Sequence, residues 1–97
     1  MNAARGEVEL SIDGAPRRLC LTLGALAEIE AKLGCARISD LETRLRALSA
    51  ADLVIVLAAL LRGGGEGDVA VQAGAAGIAA GDAARAVAEA FRRGLGS

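Results

Sequence analysis

Hydrophobic and polar residues alternate in two stretches near the start of the chain, on either side of Asp13 and Gly14. The apolar positions of these stretches are Val8, Leu10, Ile12, Leu19, Leu21 and Leu23. A period of two is typical of a strand with one buried face, and Gly14 can adopt the positive φ that a tight turn requires. Pro16 lacks a backbone N–H, so we expect it in the turn or at the start of the second strand. The pattern predicts a β-hairpin over residues 6–23, with acidic residues of the first strand opposite Arg18.

The spacing of apolar residues becomes helical directly after the hairpin, in the sequence TLGALAEIEAKLG. The residues on one face of the predicted helix, over residues 23–33, are Leu23, Leu26, Ile29 and Leu33. Thr22 is a suitable N-cap and Gly34 a suitable left-handed C-terminal residue. Glu28 and Lys32 are one turn apart and are expected to form an ion pair. Because an isolated hairpin is marginally stable in water, we expect this helix to cover its apolar face.

Further helices are predicted over residues 40–48, 50–62 and 68–74. Ser39 and Ser49 each precede an acidic residue by three positions, the spacing of a capping box, and Asp68 is expected to cap the third helix. The inward positions of the first of these helices are Leu41, Leu45 and Leu48. The sequence LVIVLAALL is apolar on nearly every side of the helix over 50–62, so we expect this helix to be the most buried element. The glycine-rich segment 63–67 is expected to be a flexible loop.

A last helix is predicted over residues 82–93. Its apolar side consists of Ala83, Ala84, Val87, Ala90 and Phe91. On its outer side we expect ion pairs between Arg85 and Glu89 and between Glu89 and Arg93, because the partners are one turn apart. Together these elements predict a single α+β domain over residues 1–97, with an N-terminal β-hairpin packed on a small bundle of about four helices.

Composition restricts the function more than it identifies it. The 97 residues are enough for one domain, and 54% of them are hydrophobic with Phe91 as the only aromatic residue, so the core is expected to be aliphatic. The net charge of −1 argues against nucleic acid as the main partner. No apolar run approaches the roughly 18 residues that a membrane span needs. The N-terminal MNAARGEVEL has no apolar signal core, so we expect a cytoplasmic protein that binds no membrane.

Residues suited to catalysis or metal binding are few. The chain has no histidine, and its two cysteines, Cys20 and Cys35, are too few ligands for a zinc site, so we expect neither metal nor other cofactor. Both are expected to be partly buried thiols, although a disulfide or a nucleophilic Cys35 remains an alternative. Lys32 is expected in a surface ion pair. The run RGGGEGD lacks the GK[ST] ending of a phosphate-binding loop. These observations predict a protein that is not an enzyme.

Apolar surfaces are the remaining candidates for function. We consider six residues as a partner-binding or self-association patch: Leu53, Ile55, Val56, Leu60, Val87 and Phe91. The alternative is that these side chains bury one another in the core. The edges of the hairpin are another option, because unpaired backbone groups can accept a further strand.

The order of segments resembles a known family. The runs GEVELSIDGAPRRLCLTLGALAEIEAKLG and SAADLVIVLAALLRGGGE resemble the small tail proteins of gene transfer agents and related alphaproteobacterial prophages. In that family an N-terminal hairpin leads into a "TLGAL.ELE"-like helix, a "DL..LLAALLRGGG"-like helix and an Ala-rich C-terminal helix. The similarity extends from Arg5 to Phe91.

The resemblance implies a role in building a phage-like tail, and the family is described both as tail tube protein and as tail assembly chaperone. Tail tube subunits are generally rich in β-structure, whereas this chain offers one hairpin and several helices. The helical content is similar to tail assembly chaperones, which coat the tape measure protein until tube subunits polymerise around it. We therefore expect a chaperone that binds the tape measure protein or other tail subunits. The alternative is a tail tube or tube-end component that stays in the particle.

Overall fold

The computed structural model describes residues 6–74 and 77–96. Its elements are β1 (Glu7–Ile12), β2 (Ala15–Cys20), α1 (Leu23–Leu33), α2 (Ile38–Leu45), α3 (Ala50–Gly63), α4 (Gly67–Ala70) and α5 (Ala80–Gly94). The predicted α+β class, an N-terminal hairpin followed by a helical bundle, is confirmed. The expectation that the chain has no secretion signal depends partly on residues 1–5, and these lie outside the described residues.

The hairpin closes through a two-residue turn. Asp13 and Gly14 have φ angles of 53° and 82°, as in a type I′ turn. The register places Glu9 opposite Arg18, as predicted. The second strand begins at Ala15, which this short turn pairs directly with Ile12, so Pro16 lies at the start of the strand.

The apolar face of the hairpin packs chiefly on α3 and α5. Helix α3 contacts β2, and α5 contacts both strands, whereas α1 packs on α3. The expectation that α1 covers the hairpin is therefore wrong. Only Leu21 and Thr22 separate β2 from α1, so α1 begins beyond the end of the strand and not beneath it.

Helix α3 lies at the centre of the core, in contact with α1, α4, α5 and β2, which confirms its predicted burial. Among the described residues, the largest fully buried side chains are those of Leu19, Ile29, Leu41, Val56, Leu60 and Leu61. They come from both the hairpin and the helices, so one aliphatic core joins the two parts of the fold.

Two of the four predicted caps are confirmed. The side chain of Thr22 accepts a hydrogen bond from the Ala25 N–H at 3.1 Å, and Ser49 accepts one from the Asp52 N–H at 3.0 Å. The helix α1 ends, as predicted, at Gly34 with a φ of 71°.

The other two caps are wrong. Helix α2 begins at Ile38, because the N–H groups of Asp40 and Leu41 already donate to the carbonyl of Arg37, so Ser39 lies inside the helix. Helix α4 begins at Gly67 with Glu66 as its N-cap residue. The predicted segments 40–48 and 68–74 are thus shorter and start earlier in the structure, while α5 begins two residues before the predicted 82.

Two assignments of helix faces and one predicted ion pair are also wrong. Leu23 is 82% exposed. The buried face of α1 is formed by Ala25, Leu26, Ile29 and Leu33, and its centre lies about 100° around the helix axis from Leu23. On α5 Ala84 is exposed, whereas Ala86 is buried together with Ala83 and Ala90. Arg85 pairs with Asp82 in place of Glu89.

The remaining predicted ion pairs are present. Glu89 pairs with Arg93 at 2.7 Å, and Lys32 with Glu28 at 3.1 Å. In each pair the two partners lie one helical turn apart on the outer surface of the same helix, so the pair stabilises that helix locally.

The start of the predicted glycine loop is a packed contact. An added Cβ at Gly63 would overlap the carbonyl oxygen of Cys20, and one at Gly64 would overlap that of Arg18. The glycines therefore allow the end of α3 to lie directly against β2, and the prediction of a flexible loop is wrong for these two residues.

Candidate interaction surface

Residues with potential for chemistry are dispersed over the structure. Cys20 and Cys35 form no disulfide with each other, and the Cys35 thiol donates weakly to the Leu33 carbonyl at 3.9 Å. Burial raises the pKa of the Cys20 thiol, and the charge of Glu7 raises it further. The described residues contain no group of three or more potential metal ligands. Within the same residues, no helix has the length and apolarity of a membrane span.

An open groove lies between α2 and α5. It consists of two adjoining clefts of about 460 and 300 Å³, which share Leu45, Arg46 and Phe91. The residues that line this α2–α5 groove are Glu42, Leu45, Arg46, Leu48, Leu53, Ala84, Val87, Ala88, Phe91, Arg92 and Leu95.

The groove stays open because α2 is held on the side of α1 and α3. The Arg44 guanidinium donates to the Leu33 carbonyl, at the end of α1, at 2.6 Å and to the Asp52 carboxylate, at the start of α3, at 3.1 Å. The hydrogen bond from Arg44 is the main reason why the pKa of Asp52 is lowered. This bridge positions α2 beside α1, so α5 faces the other side of α2 across a gap.

Apolar side chains form the floor of the groove and charged ones its rim. Val87 and Phe91 of α5 are buried, and Leu45 and Leu48 are partly buried against the core. Arg46, Arg92 and Glu42 line the end of the groove near Leu95, which is 41% exposed. Arg92 pairs with Glu89, whereas Arg46 makes no ion pair within the described chain.

A smaller cleft of about 150 Å³ continues from the groove at Leu53. Its lining is formed entirely by uncharged, mostly aliphatic residues of α3, α5 and the segment before α5: Ala50, Leu53, Val54, Leu57, Ala73, Gly74, Ile78, Ala80 and Ala83. The cleft and the adjoining part of the groove around Leu53 are both lined mainly by apolar residues.

The structure brings three of the six predicted patch residues together. Leu53, Val87 and Phe91 line the α2–α5 groove. Val56 and Leu60 are 0% exposed and belong to the core, and Ile55 is a partly buried residue packed against that core. Sequence reasoning missed Leu45, Leu48 and Arg46 as groove residues. The inward spacing of Leu45 and Leu48 was visible in the sequence, but the gap between α2 and α5 depends on the Arg44 bridge.

Fold and groove define a small α+β protein with an open groove between two of its helices. Residues 5–97 match the family described as phage tail tube protein, GTA-gp10. The match covers almost the whole chain, so the protein belongs to this family of phage and gene transfer agent tail proteins, and the resemblance noted in the sequence is confirmed. No curated protein and no solved structure matches the chain.

Proposed function

We propose that this tail protein is a non-enzymatic, cytoplasmic assembly chaperone that binds an amphipathic helix of the tape measure protein in the α2–α5 groove. The observation that carries the proposal is the groove itself, with an apolar floor open to solvent between two helices. Recognition of an amphipathic helix in an apolar groove is a recurrent mode of protein binding.

The shape and polarity of the groove support a helical partner. Aliphatic and aromatic side chains of Leu45, Leu53 and Phe91 would contact the apolar stripe of a bound helix. The exposed alanines Ala84 and Ala88 let the partner's backbone approach α5 closely. The two arginines at the rim, Arg46 and Arg92, would lie beside its polar face.

The alternative function is a structural tail component retained in the finished particle, and the family description as tail tube protein favours it. Such a component would self-associate or bind other tail subunits. Mass spectrometry of purified particles separates the two functions. A chaperone is expected to be absent from the particles or far below stoichiometric amounts, whereas stoichiometric presence would contradict the chaperone proposal.

Co-expression with the tape measure protein, followed by size-exclusion chromatography, tests the proposed partner. We expect the two proteins to elute together, and Ala88→Glu to abolish co-elution because it places a charge in the groove. Ala27→Glu is the matched control, since Ala27 is also exposed on a helix but lies on α1, away from the groove. Separate elution with rings or filaments of the small protein alone would favour the structural function. Separate elution as a monomer would contradict tape measure binding.

A further inference from the structure

The two edges of the hairpin differ in how they are protected. Ile12 and Ala15 close the two-residue turn and form a hydrogen-bonded pair, and every second pair along the hairpin is hydrogen-bonded in the same way. The residues of β2 between these pairs direct their backbone groups away from β1; they are Pro16, Arg18 and Cys20. Pro16 has no N–H to offer. The Arg18 N–H donates to the Glu66 carboxylate at 3.1 Å. The carbonyls of Arg18 and Cys20 lie against Gly64 and Gly63. The outer edge of β2 is therefore closed.

The outer edge of β1 is open along its middle. The same alternation directs the backbone groups of Glu7, Glu9 and Ser11 away from β2. The Glu7 carbonyl accepts a hydrogen bond from Arg93 at 3.2 Å. In the described part of the chain, Glu9 and Ser11 make no hydrogen bond outside the hairpin, and both are exposed. Unpaired strand edges of this kind can accept a further strand.

The charge of this edge defines the chemistry of its occupant. Glu7 and Glu9 occupy alternate positions of β1 and therefore lie on the same, polar face of the strand. Leu10 and Ile12 are buried on the other face. A second copy of β1 would place acidic side chains opposite acidic side chains, which is destabilising. A strand with basic residues at alternate positions would instead pair with both glutamates.

We propose that β1 is a strand-addition site for an extended segment of another protein that carries basic residues on one face and aliphatic residues on the other. Backbone hydrogen bonds to Glu9 and Ser11 would supply the attachment, and the two glutamates the selectivity. This surface is separate from the α2–α5 groove, so the protein would bind two partner segments of different secondary structure.

The synthetic peptide acetyl-TVKVKVT-amide is a suitable probe, with a version that has glutamate in place of lysine as its control. Titration of the intact protein, followed by NMR hydrogen exchange, reports the site directly. We expect the lysine peptide to bind about tenfold more tightly than the glutamate peptide. At saturation the amides of Glu9 and Ser11 should exchange at least about tenfold more slowly. Equal binding of the two peptides, or unchanged exchange of both amides, would overturn the proposal.

Ser11→Pro removes an outward N–H without removing a bond to β2, as Pro16 already does on the opposite strand. We expect it to weaken peptide binding about tenfold, while Ser11→Ala, which keeps the N–H, binds like the natural protein. If Ser11→Pro does not fold, the peptide is changed in place of the protein. A peptide N-methylated at the amides that would face β1 should no longer bind. Full binding of the N-methylated peptide would refute the proposal that a basic strand of another protein binds β1. Protection of the Glu9 and Ser11 amides from exchange by self-association, without any peptide, would refute it as well. Ala88→Glu should leave peptide binding unchanged, which separates this site from the groove.

Discussion

The carboxylate of Glu66 accepts a hydrogen bond from the backbone N–H of Arg18 at 3.1 Å, although 48 residues separate the two along the chain. The same carboxylate lies 3.4 Å from the Arg17 guanidinium and 3.7 Å from that of Arg18. Only 14% of the Glu66 side chain is exposed. This contact joins the segment after α3 to the hairpin and satisfies an edge N–H that would otherwise be open.

Glu66→Ala is therefore expected to destabilise the protein. A hydrogen bond to a charged group contributes roughly 1.5–3 kcal/mol, so we expect a loss of that order in the free energy of unfolding, measured with urea. Asp68→Ala is the control, because Asp68 is exposed and forms no ion pair among the described residues. Equal stability of the two variants would show that the Glu66 contact does not hold α3 and β2 together.

The close approach of α3 to β2 gives a second prediction. Gly64→Ala places a Cβ against the Arg18 carbonyl, a backbone group that cannot rotate away, so we expect a loss of about 1–3 kcal/mol or more in stability. At Gly67 an added Cβ meets no atom within 4 Å. Gly67→Ala should consequently be neutral or stabilising by up to about 1 kcal/mol. Thermal melting of both variants checks the difference, and a Gly64→Ala melting temperature equal to that of the natural protein would contradict it.

The position of Glu28 predicts a dependence of stability on pH. Its carboxylate accepts hydrogen bonds from Arg62 at 3.1 Å and from Lys32 at 3.1 Å. The hydrogen bond from Arg62 is the largest cause that lowers the pKa of Glu28. A lowered carboxyl pKa stabilises the folded state above the pKa of the unfolded chain, about 4.3, and this stabilisation disappears as the pH falls through the folded-state pKa.

Glu28→Gln measures this contribution. At pH 7 we expect the variant to be less stable by about 0.2–1 kcal/mol, because the pair is partly solvent-exposed and screened. The difference should shrink as the pH is lowered below about 4. Glu42→Gln serves as the control, since Glu42 forms no ion pair within the described residues. Urea unfolding at a series of pH values provides the measurement, and a difference that grows on acidification would have the wrong sign.

Local elements were predictable where one residue determines the geometry. Gly14 specified the tight turn, Thr22 and Ser49 specified two caps, and Gly34 specified the end of α1. These features depend on the backbone within a few residues. The predictions at Ser39 and Asp68 were wrong because each helix closes its first turn on an earlier carbonyl, that of Arg37 or Glu66.

Tertiary relationships were less accessible from the sequence. The groove depends on Arg44, which reaches Leu33 and Asp52 on two other helices. The role of Gly63 and Gly64 also depends on β2, more than forty residues earlier in the chain. A glycine run suggests flexibility unless its neighbour in space is known. Of the residues considered as a patch, Leu53, Val87 and Phe91 line the α2–α5 groove, whereas Val56 and Leu60 are core residues.

The central position of α3 gives the last prediction. Leu57 is 2% exposed, so Leu57→Asp places an unpaired carboxylate in the aliphatic core, and we expect a loss of more than about 4 kcal/mol and an unfolded protein at 25 °C. Val54 lies one turn earlier on the same helix and is 37% exposed. Its carboxylate replacement, Val54→Asp, can reach water and should cost only about 1 kcal/mol. Circular dichroism and thermal melting of the two variants test the contrast. A folded Leu57→Asp protein with an unchanged melting temperature would mean that α3 is exposed and that the core lies elsewhere.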